Sequence, residues 1–497
     1  MNKEERIQQY FTWQKQLNAY ALAINTMSYE RQTFSPMNGR AYSAEMESIL
    51  MGEYYNVATD KSAIENMKAL IQEEIEHDLK VEVVDRLKEI DHIACIPADE
   101  YMAFSKLQSE CEMAWADAKE KNDYAKFKPL LQSLVETVKK NIGYRAEPKS
   151  VYEVLLNDFE KGMTIEKYDA FFALIEEKLI PFIKRLMGSE TFKNQYFKLD
   201  NVAISAQEKV SEHLLKYLKY DETWGCLHTS AHPFSSSFSL NDCRITTKYD
   251  EEAFTSNIYS IIHEVGHATY EHQASEKYEG RHIREMIGSG MHESQSRLLE
   301  NYIGRSASFW EVNYPLIQQE IDYLKEVDKQ DFVRYVNEVK PSLIRVDADE
   351  LTYPLHVLIR YKIEKEMFDQ EIDFDELPQK WNQYVKDYLG VDVPSDTQGL
   401  LQDVHWAMAL FGYFPTYALG SAYAAQFMHQ MHQDLDVDAI LEKGNLQPIL
   451  DWLKENIHQY GGLYTANEVL EKVTGEVFNP NYYIDYLIDK YSRYYQL

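Results

Sequence analysis

The sequence of 497 residues predicts a mainly α-helical fold: one large domain with a single small β region. Three observations carry that expectation. Gly (19) and Pro (14) are scarce, while Glu, Lys, Leu and Tyr are plentiful. Apolar residues recur with a 3.6-residue period over long stretches. One run alone, 226–249, turns to Ser, Thr and β-branched residues.

Taken in order, residues 3 to about 27 predict an amphipathic helix with Tyr10, Trp13, Leu17, Tyr20 and Ala21 on one stripe. The segment Met27–Arg40 holds Pro36 and Gly39 and reads as a loop. Helical patterns fill about 42–90 and 93–142, and further helices are expected at 166–188 and 204–219. The run CLHTSAHPFSSSFSLNDCRITTKY, from Cys226 to Tyr249, predicts two or three short strands with a turn at Leu240-Asn241-Asp242. It immediately precedes the helical stretch IIHEVGHATYEHQ, where an edge strand can hold an extended peptide by backbone pairing. A loop with Gly280, Gly288 and Gly290 leads to a second helix, MHESQSRLLENYIG. The chain then reads as helical nearly to its end, with breaks near Pro341, Pro354, 390–394, Pro415, Gly444, Gly461 and Pro480.

No Pro/Gly/Ser-rich linker, low-complexity tract or repeat divides the chain, so residues 1–497 are expected to form one unit. Its parts are residues 1–220, the β region 226–250, and the helices of 251–497. A net charge of −30 argues against a nucleic-acid partner, because phosphates are repelled. No run of about 18 apolar residues predicts a membrane span. The N-terminus, MNKEERIQQYFTWQ, has no apolar signal core. Cys95, Cys111, Cys226 and Cys243 form no CxxC pair, so reduced thiols and a cytoplasmic location are expected.

The chemistry centres on His263-Glu264-Val265-Gly266-His267. Positions i and i+4 share one helix face, so both imidazoles point into the same space and suit a zinc ion. Glu264 lies beside them as a general base for a water. Gly266 costs helix propensity, roughly 1 kcal/mol against Ala, but admits another group close to the metal side. A catalytic zinc site needs a third protein ligand. His272 is about 140° round the helix from His267 and points away. Glu293 on the next helix is the better candidate, with Glu300 and His292 as alternatives. Glu300 also suits the task of orienting a ligating imidazole.

Six separated stretches then resemble, in order, the M32 metallocarboxypeptidases, the carboxypeptidase Taq family. They are His232-Pro233-Phe234, Asp242-Cys243-Arg244-Ile245-Thr246, the His263–His267 motif, His292-Glu293-Ser294-Gln295, Ile344-Arg345-Val346-Asp347-Ala348-Asp349, and Gly399-Leu400-Leu401-Gln402-Asp403-Val404-His405-Trp406. Near the N-terminus the family often has Trp-Asp, where this chain has Tyr29-Glu30.

The resemblance implies a neurolysin/ACE-like zincin fold: helices around a deep groove, a small sheet beside the zinc helix, and residues 1–220 covering the cleft. It implies His263, His267 and Glu293 as zinc ligands and Glu264 as the base, with cobalt able to replace zinc. Arg345 would bind the substrate's free α-carboxylate, a planar guanidinium suiting that group. Asp347 and Asp349 are its alternative partners. His405 and Tyr417 would donate to the oxyanion, with Tyr413 and Tyr423 as rivals for the phenol. Asp242 and Arg244 would form an ion pair or shape the cleft wall, and His232 would line the groove. The implied activity is release of C-terminal residues from short peptides with broad specificity, by a homodimer. Two other classes compete. A helical zinc oligopeptidase that cuts internally shares the metal chemistry but needs no carboxylate-binding Arg. A binding protein with a structural metal needs no Glu264.

Overall fold

The computed structural model describes residues 1–193, 201–370 and 372–497. Helix α1 (Lys3–Gln32) opens with a capping box between Asn2 and Glu5. It outruns the expected end near 27, because no Gly or Pro intervenes before Pro36. The predicted loop is thus reduced to a few residues and one 3₁₀ turn, Met37–Gly39.

The helix expected over 42–90 is three: α2 (Arg40–Ala58), α3 (Lys61–Leu70) and α4 (His77–Ala94). Asp60 explains the first break, since its carboxylate caps Ala63 N at the start of α3. The stretch 93–142 holds α5 (Ala98–Lys121) and α6 (Tyr124–Arg145), divided at Asn122 in the left-handed region (φ 53°). Then follow α7 (Val151–Phe159), α8 (Ile165–Leu174), α9 (Ile180–Met187), the short α10 (Glu190–Lys193) and α11 (Ile204–Tyr217). A π-helical stretch, Ile175–Leu179, joins α8 to α9, so the rod expected over 166–188 forms with one widened turn.

The sheet has the order β1 (Leu227–Thr229), β3 (Asp242–Thr247), β2 (Ser235–Ser239). β1 runs parallel to β3 and β2 antiparallel, with an irregularity between Ser237 and Ser239. Next comes α12 (Phe254–His272), which carries the His pair. The Thr247 hydroxyl ties β3 to it, 2.7 Å from Ser260 Oγ and 2.8 Å from Asn257 Nδ2. Helix α13 (Ser289–Arg297) runs on as a π-helical stretch, Leu298–Ile303.

The rest is α14 (Ala307–Glu320), α15 (Lys329–Val336), α16 (Tyr353–Asp369), α17 (Leu377–Leu389), α18 (Phe414–Asp434), α19 (Val437–Glu442), α20 (Gln447–Asn456), α21 (Ala466–Thr474) and α22 (Asn481–Tyr495). Pro354 and Pro415 start α16 and α18, where a missing N–H costs nothing. Residues 337–352 and 390–413 contain no α-helix, and they hold Arg345 and His405.

Helix α18 packs against α13, α16, α21 and α22, and buries residues on every side. The main apolar core extends from Cys111 to Tyr495. A second cluster, including Tyr10, Leu17, Met67, Leu70 and Val83, belongs to α1, α3 and α4. Helix α1 reaches the sheet through Tyr29, whose hydroxyl lies 2.9 Å from His228 Nδ1 and whose ring meets Phe234 and Phe238 edge-on. No described helix is long and apolar enough to cross a membrane.

Candidate active site

Helices α12 and α13 cross at Gly266. A Cβ on Gly266 would stand 2.6 Å from Ser296 Cα, so only glycine allows this approach. Gly420 on α18 serves the other side of α13: a Cβ there would lie 2.5 Å from Glu293 Cγ. The two close approaches press the Glu293 side chain against the His pair. His267 Nε2 is 3.4 Å and His263 Nε2 3.7 Å from Glu293 Oε2. One atom from each of the three residues falls within 4.8 Å of the others.

Each ligand candidate is held from behind. His263 Nδ1 lies 2.9 Å from Glu300 Oε2, which places the proton on Nδ1 and leaves Nε2 free toward Glu293. His267 Nδ1 lies 2.6 Å from His292 Nδ1, and His292 Nε2 lies 3.0 Å from Glu271 Oε1. Glu300 and His292, the alternatives for third ligand, stand against the far nitrogens of the two imidazoles, outside the three-residue cluster. Arg297 donates to Glu293 Oε1 at 2.7 Å and to Glu300 Oε2 at 2.9 Å. Burial raises the Glu293 carboxyl, but Arg297 and His263 outweigh it and hold the group well below the usual range. Burial pushes His267 down to about 3, so its ring is neutral. Burial also lowers His263, but Glu293 and Glu300 draw it up beyond that, so the cluster favours positive charge at this point. Two imidazoles and an ionised carboxylate in such surroundings fit a divalent metal.

Glu264 is 6% exposed and next to the cluster, with Ser235 of β2 near enough to oppose the rise of its carboxyl. Burial pushes its carboxyl up to about 7, with His263 opposing. That is the range of a group that takes and returns a proton near neutrality.

Arg345 sits on a 3₁₀ turn, Arg345–Asp347, 6% exposed. Its partner is neither Asp347 nor Asp349. Nε and Nη2 donate to Asp403 Oδ1 at 3.2 and 3.0 Å, while Arg360 Nε and Nη2 take Asp403 Oδ2. Asp349 is spent on its own turn, accepting from Lys340 N, Leu351 N, Thr352 N and the Thr352 hydroxyl. The Arg345 guanidinium lies 4.8 Å from the Tyr417 ring centre. The Tyr417 hydroxyl lies 3.2 Å from His405 Nε2. Burial pushes His405 down to about 4, against Asp403, so the imidazole is neutral. Tyr413 lies beside both, tilted on His405 and edge-on to Tyr417. Tyr423 is fully buried against Phe478, outside this group.

Asp242 and Arg244 form a two-bond ion pair at 2.8 Å, and the guanidinium covers the Phe238 ring at 4.5 Å. His232 is exposed on the turn between β1 and β2. His272 points away from the cluster as its spacing requires, stacked on Trp224 and 2.6 Å from Leu240 O.

The whole chain also has close relatives. Residues 9–491 match the family model described as carboxypeptidase Taq (M32) metallopeptidase. The chain belongs to this M32 family. It is 39% identical to carboxypeptidase 1 of Bacillus subtilis over 98% of each chain. It is 32% identical to thermostable carboxypeptidase 1 of Thermus thermophilus over the full length of both. A solved structure of Pyrococcus furiosus carboxypeptidase superposes with a TM-score of 0.95 at 30% identity, over 99% of each chain. The protein is thus a metallocarboxypeptidase, a peptide hydrolase of helical zincin-like fold that uses a divalent metal. The internally cutting oligopeptidase is not favoured.

Three side chains of this metallocarboxypeptidase escaped the sequence reading. Arg297 had a legible signal, since it is four residues after Glu293 and three before Glu300 on one helix face. Asp403 lies inside the Gly399–Trp406 motif, where spacing alone assigns it no partner. Tyr353, on Arg345 Nη1 at 3.1 Å, had no signal beyond its place after a turn. Asp85, Glu89 and His282 also lie at metal-ligand spacing. There Lys161 pairs with Asp85 and Arg86 with Glu89, so their charge is already balanced.

Proposed function

We propose that this metallocarboxypeptidase releases single C-terminal residues from short peptides with a free α-carboxylate, using zinc held by His263, His267 and Glu293. The observation that carries the reading is contiguity. The buried Arg345, the His405–Tyr417 pair and the Glu293 cluster form one network, so a carboxylate reader stands beside a hydrolytic centre. Zinc suits two imidazoles and a carboxylate; bound there it supplies Lewis acidity to the scissile carbonyl and an acidified water at neutral pH.

The residues then divide the work. Arg345 grips the terminal carboxylate and fixes the register, so that only the last peptide bond lies over the cluster. Glu264 takes the proton from the attacking water and passes it to the leaving amine. His405 Nε2 and the Tyr417 hydroxyl stabilise the carbonyl oxygen as it gains charge. The edge of β2, with Ser235 beside Glu264, pairs with the extended peptide backbone. Asp242–Arg244 stiffens that wall, and His232 lines the groove at its end. Broad side-chain preference, a homodimeric cytoplasmic enzyme, a cleft covered by residues 1–220, and activity with cobalt complete the reading.

The test compares an N-blocked short peptide bearing a free C-terminus with its C-terminal amide, each with and without chelator. Loss of one residue from the free acid only, abolished by chelator, supports the proposal. Cleavage of both substrates at an internal bond overturns it.

A further inference from the structure

Tyr353, the first residue of α16, is 7% exposed and accepts a hydrogen bond from Arg345 Nη1. A guanidinium has five N–H donors. Nε and Nη2 are committed to Asp403 along one edge, and one Nη1 hydrogen goes to Tyr353. What remains is one hydrogen each on Nη1 and Nη2, both open to a charged acceptor such as a carboxylate. The phenol oxygen accepts from Arg345, so its own O–H hydrogen is left for a further acceptor at the same place. Among the described residues, Tyr353 donates to no protein group.

The same ring faces the metal side. Arg297 Cζ lies 4.6 Å from its centre, and that guanidinium holds Glu293 Oε1 and Glu300 Oε2. The Tyr417 ring meets Tyr353 edge-on, centres 6.3 Å apart. One side chain therefore touches both the guanidinium on the carboxylate side and the guanidinium on the ligand side.

We propose that Tyr353 determines the exopeptidase specificity of this site: its hydroxyl donates to the substrate's terminal carboxylate beside Arg345, and its ring fixes the distance from that carboxylate to the Glu293 cluster. The proposal rests on the reading of Arg345 as the carboxylate binder. A peptide amide gives the same hydroxyl and guanidinium a poorer, uncharged partner, so the preference for a free acid arises at the Tyr353–Arg345 pair.

The experiment uses the metal-loaded enzyme with Tyr353→Phe, Tyr353→Leu, Arg345→Lys and the double variant Tyr353→Phe/Arg345→Lys. Free-acid and amide forms of one blocked dipeptide are compared, with bound metal measured separately by elemental analysis. Tyr353→Phe keeps the ring and removes only the hydroxyl. It is expected to raise KM for the free acid about 10-fold at little change in kcat or bound metal, a hydrogen bond to a charged group being at stake. Acid-over-amide preference should fall by the same factor. Tyr353→Leu should in addition weaken metal retention, because Arg297 loses its ring. In the Arg345→Lys background, Tyr353→Phe should cost clearly less than it does alone. A Tyr353→Phe enzyme with unchanged KM and unchanged acid preference, while Arg345→Lys loses that preference, overturns the role of Tyr353 and spares that of Arg345. Retention of acid preference in Arg345→Lys overturns both.

Discussion

His263 Nδ1 lies 2.9 Å from Glu300 Oε2, on the opposite side of the ring from the nitrogen that faces Glu293. Glu300 is itself fixed by Arg297 and Arg305, at 2.9 and 3.3 Å. The carboxylate thus decides which nitrogen of His263 is bare and where it points. Glu300→Gln should keep the fold and lower metal affinity by roughly 10–100-fold, the range found for such backing partners. Competition with a chelator of known affinity measures it. An unchanged metal affinity would show that the His263 tautomer is set by something else.

Glu293 is the only carboxylate whose oxygen faces both imidazoles among the described residues. Glu293→Ala should therefore lose bound metal, and Glu293→Gln should retain it weakly. The variant also leaves Arg297 buried without one of its two partners, so a drop in thermal stability is expected beside the metal loss. A full complement of metal in Glu293→Ala would remove it from the ligand set.

Glu264 shares the helix with both imidazoles but does not belong to the three-residue cluster. Glu264→Gln is nearly isosteric and should leave metal content intact, while kcat falls by at least 10²–10⁴-fold, the range of a lost general base. Metal loss on this change would make Glu264 a ligand and displace it from proton transfer.

Gly266 lets α13 lie against α12, and the obstacles to a Cβ are main-chain atoms, Ser296 Cα, Gln295 O and Ser296 N at 2.6, 2.7 and 3.0 Å. Main chain cannot rotate aside. Gly266→Ala should cost about 1–3 kcal/mol of stability through overpacking, despite the better helix propensity of Ala. It should also push Glu293 away from the imidazoles and weaken metal binding. Thermal unfolding with and without added zinc reads both effects. A more stable variant with normal metal affinity would contradict the tight crossing.

The His pair was legible because its geometry lies within one helix, and Glu293 because a glycine-bearing loop returns the next helix across it. The fold class was legible for a similar reason: a 3.6-residue period and scarce breakers act locally. Arg345 and His405 were legible only as motif positions. Their geometry depends on the two non-helical stretches 337–352 and 390–413, which carry no period and read simply as breaks in helix. The partner of Arg345 lies 58 residues away at Asp403, while the nearer Asp349 is consumed by backbone donors of its own turn. Such long-range pairings have no signature in composition or spacing. The extra length of α1 is not legible in the same way, because the breaker at Pro36 ends the helix only within a few residues of itself.

Tyr417 and Tyr413 stand side by side, ring centres 5.2 Å apart, and both are raised by burial and by the Glu293 charge. Of the two, Tyr417 is the one with its hydroxyl on His405 Nε2, at 3.2 Å, and its ring under the Arg345 guanidinium. A phenol kept protonated by its surroundings is a donor, and one already directed to the carboxylate side of the network can follow the carbonyl oxygen as charge develops. Tyr417→Phe should then lower kcat by about 10²–10³-fold, the size of one lost oxyanion donor, with metal content unchanged. Tyr413→Phe should cost far less, because its ring packs on Phe159 and His405 and that packing survives the loss of a hydroxyl. Steady-state kinetics on a blocked dipeptide separates them: the larger kcat loss in Tyr413→Phe would exchange the two roles, and equal small losses would leave His405 as the sole donor of the pair.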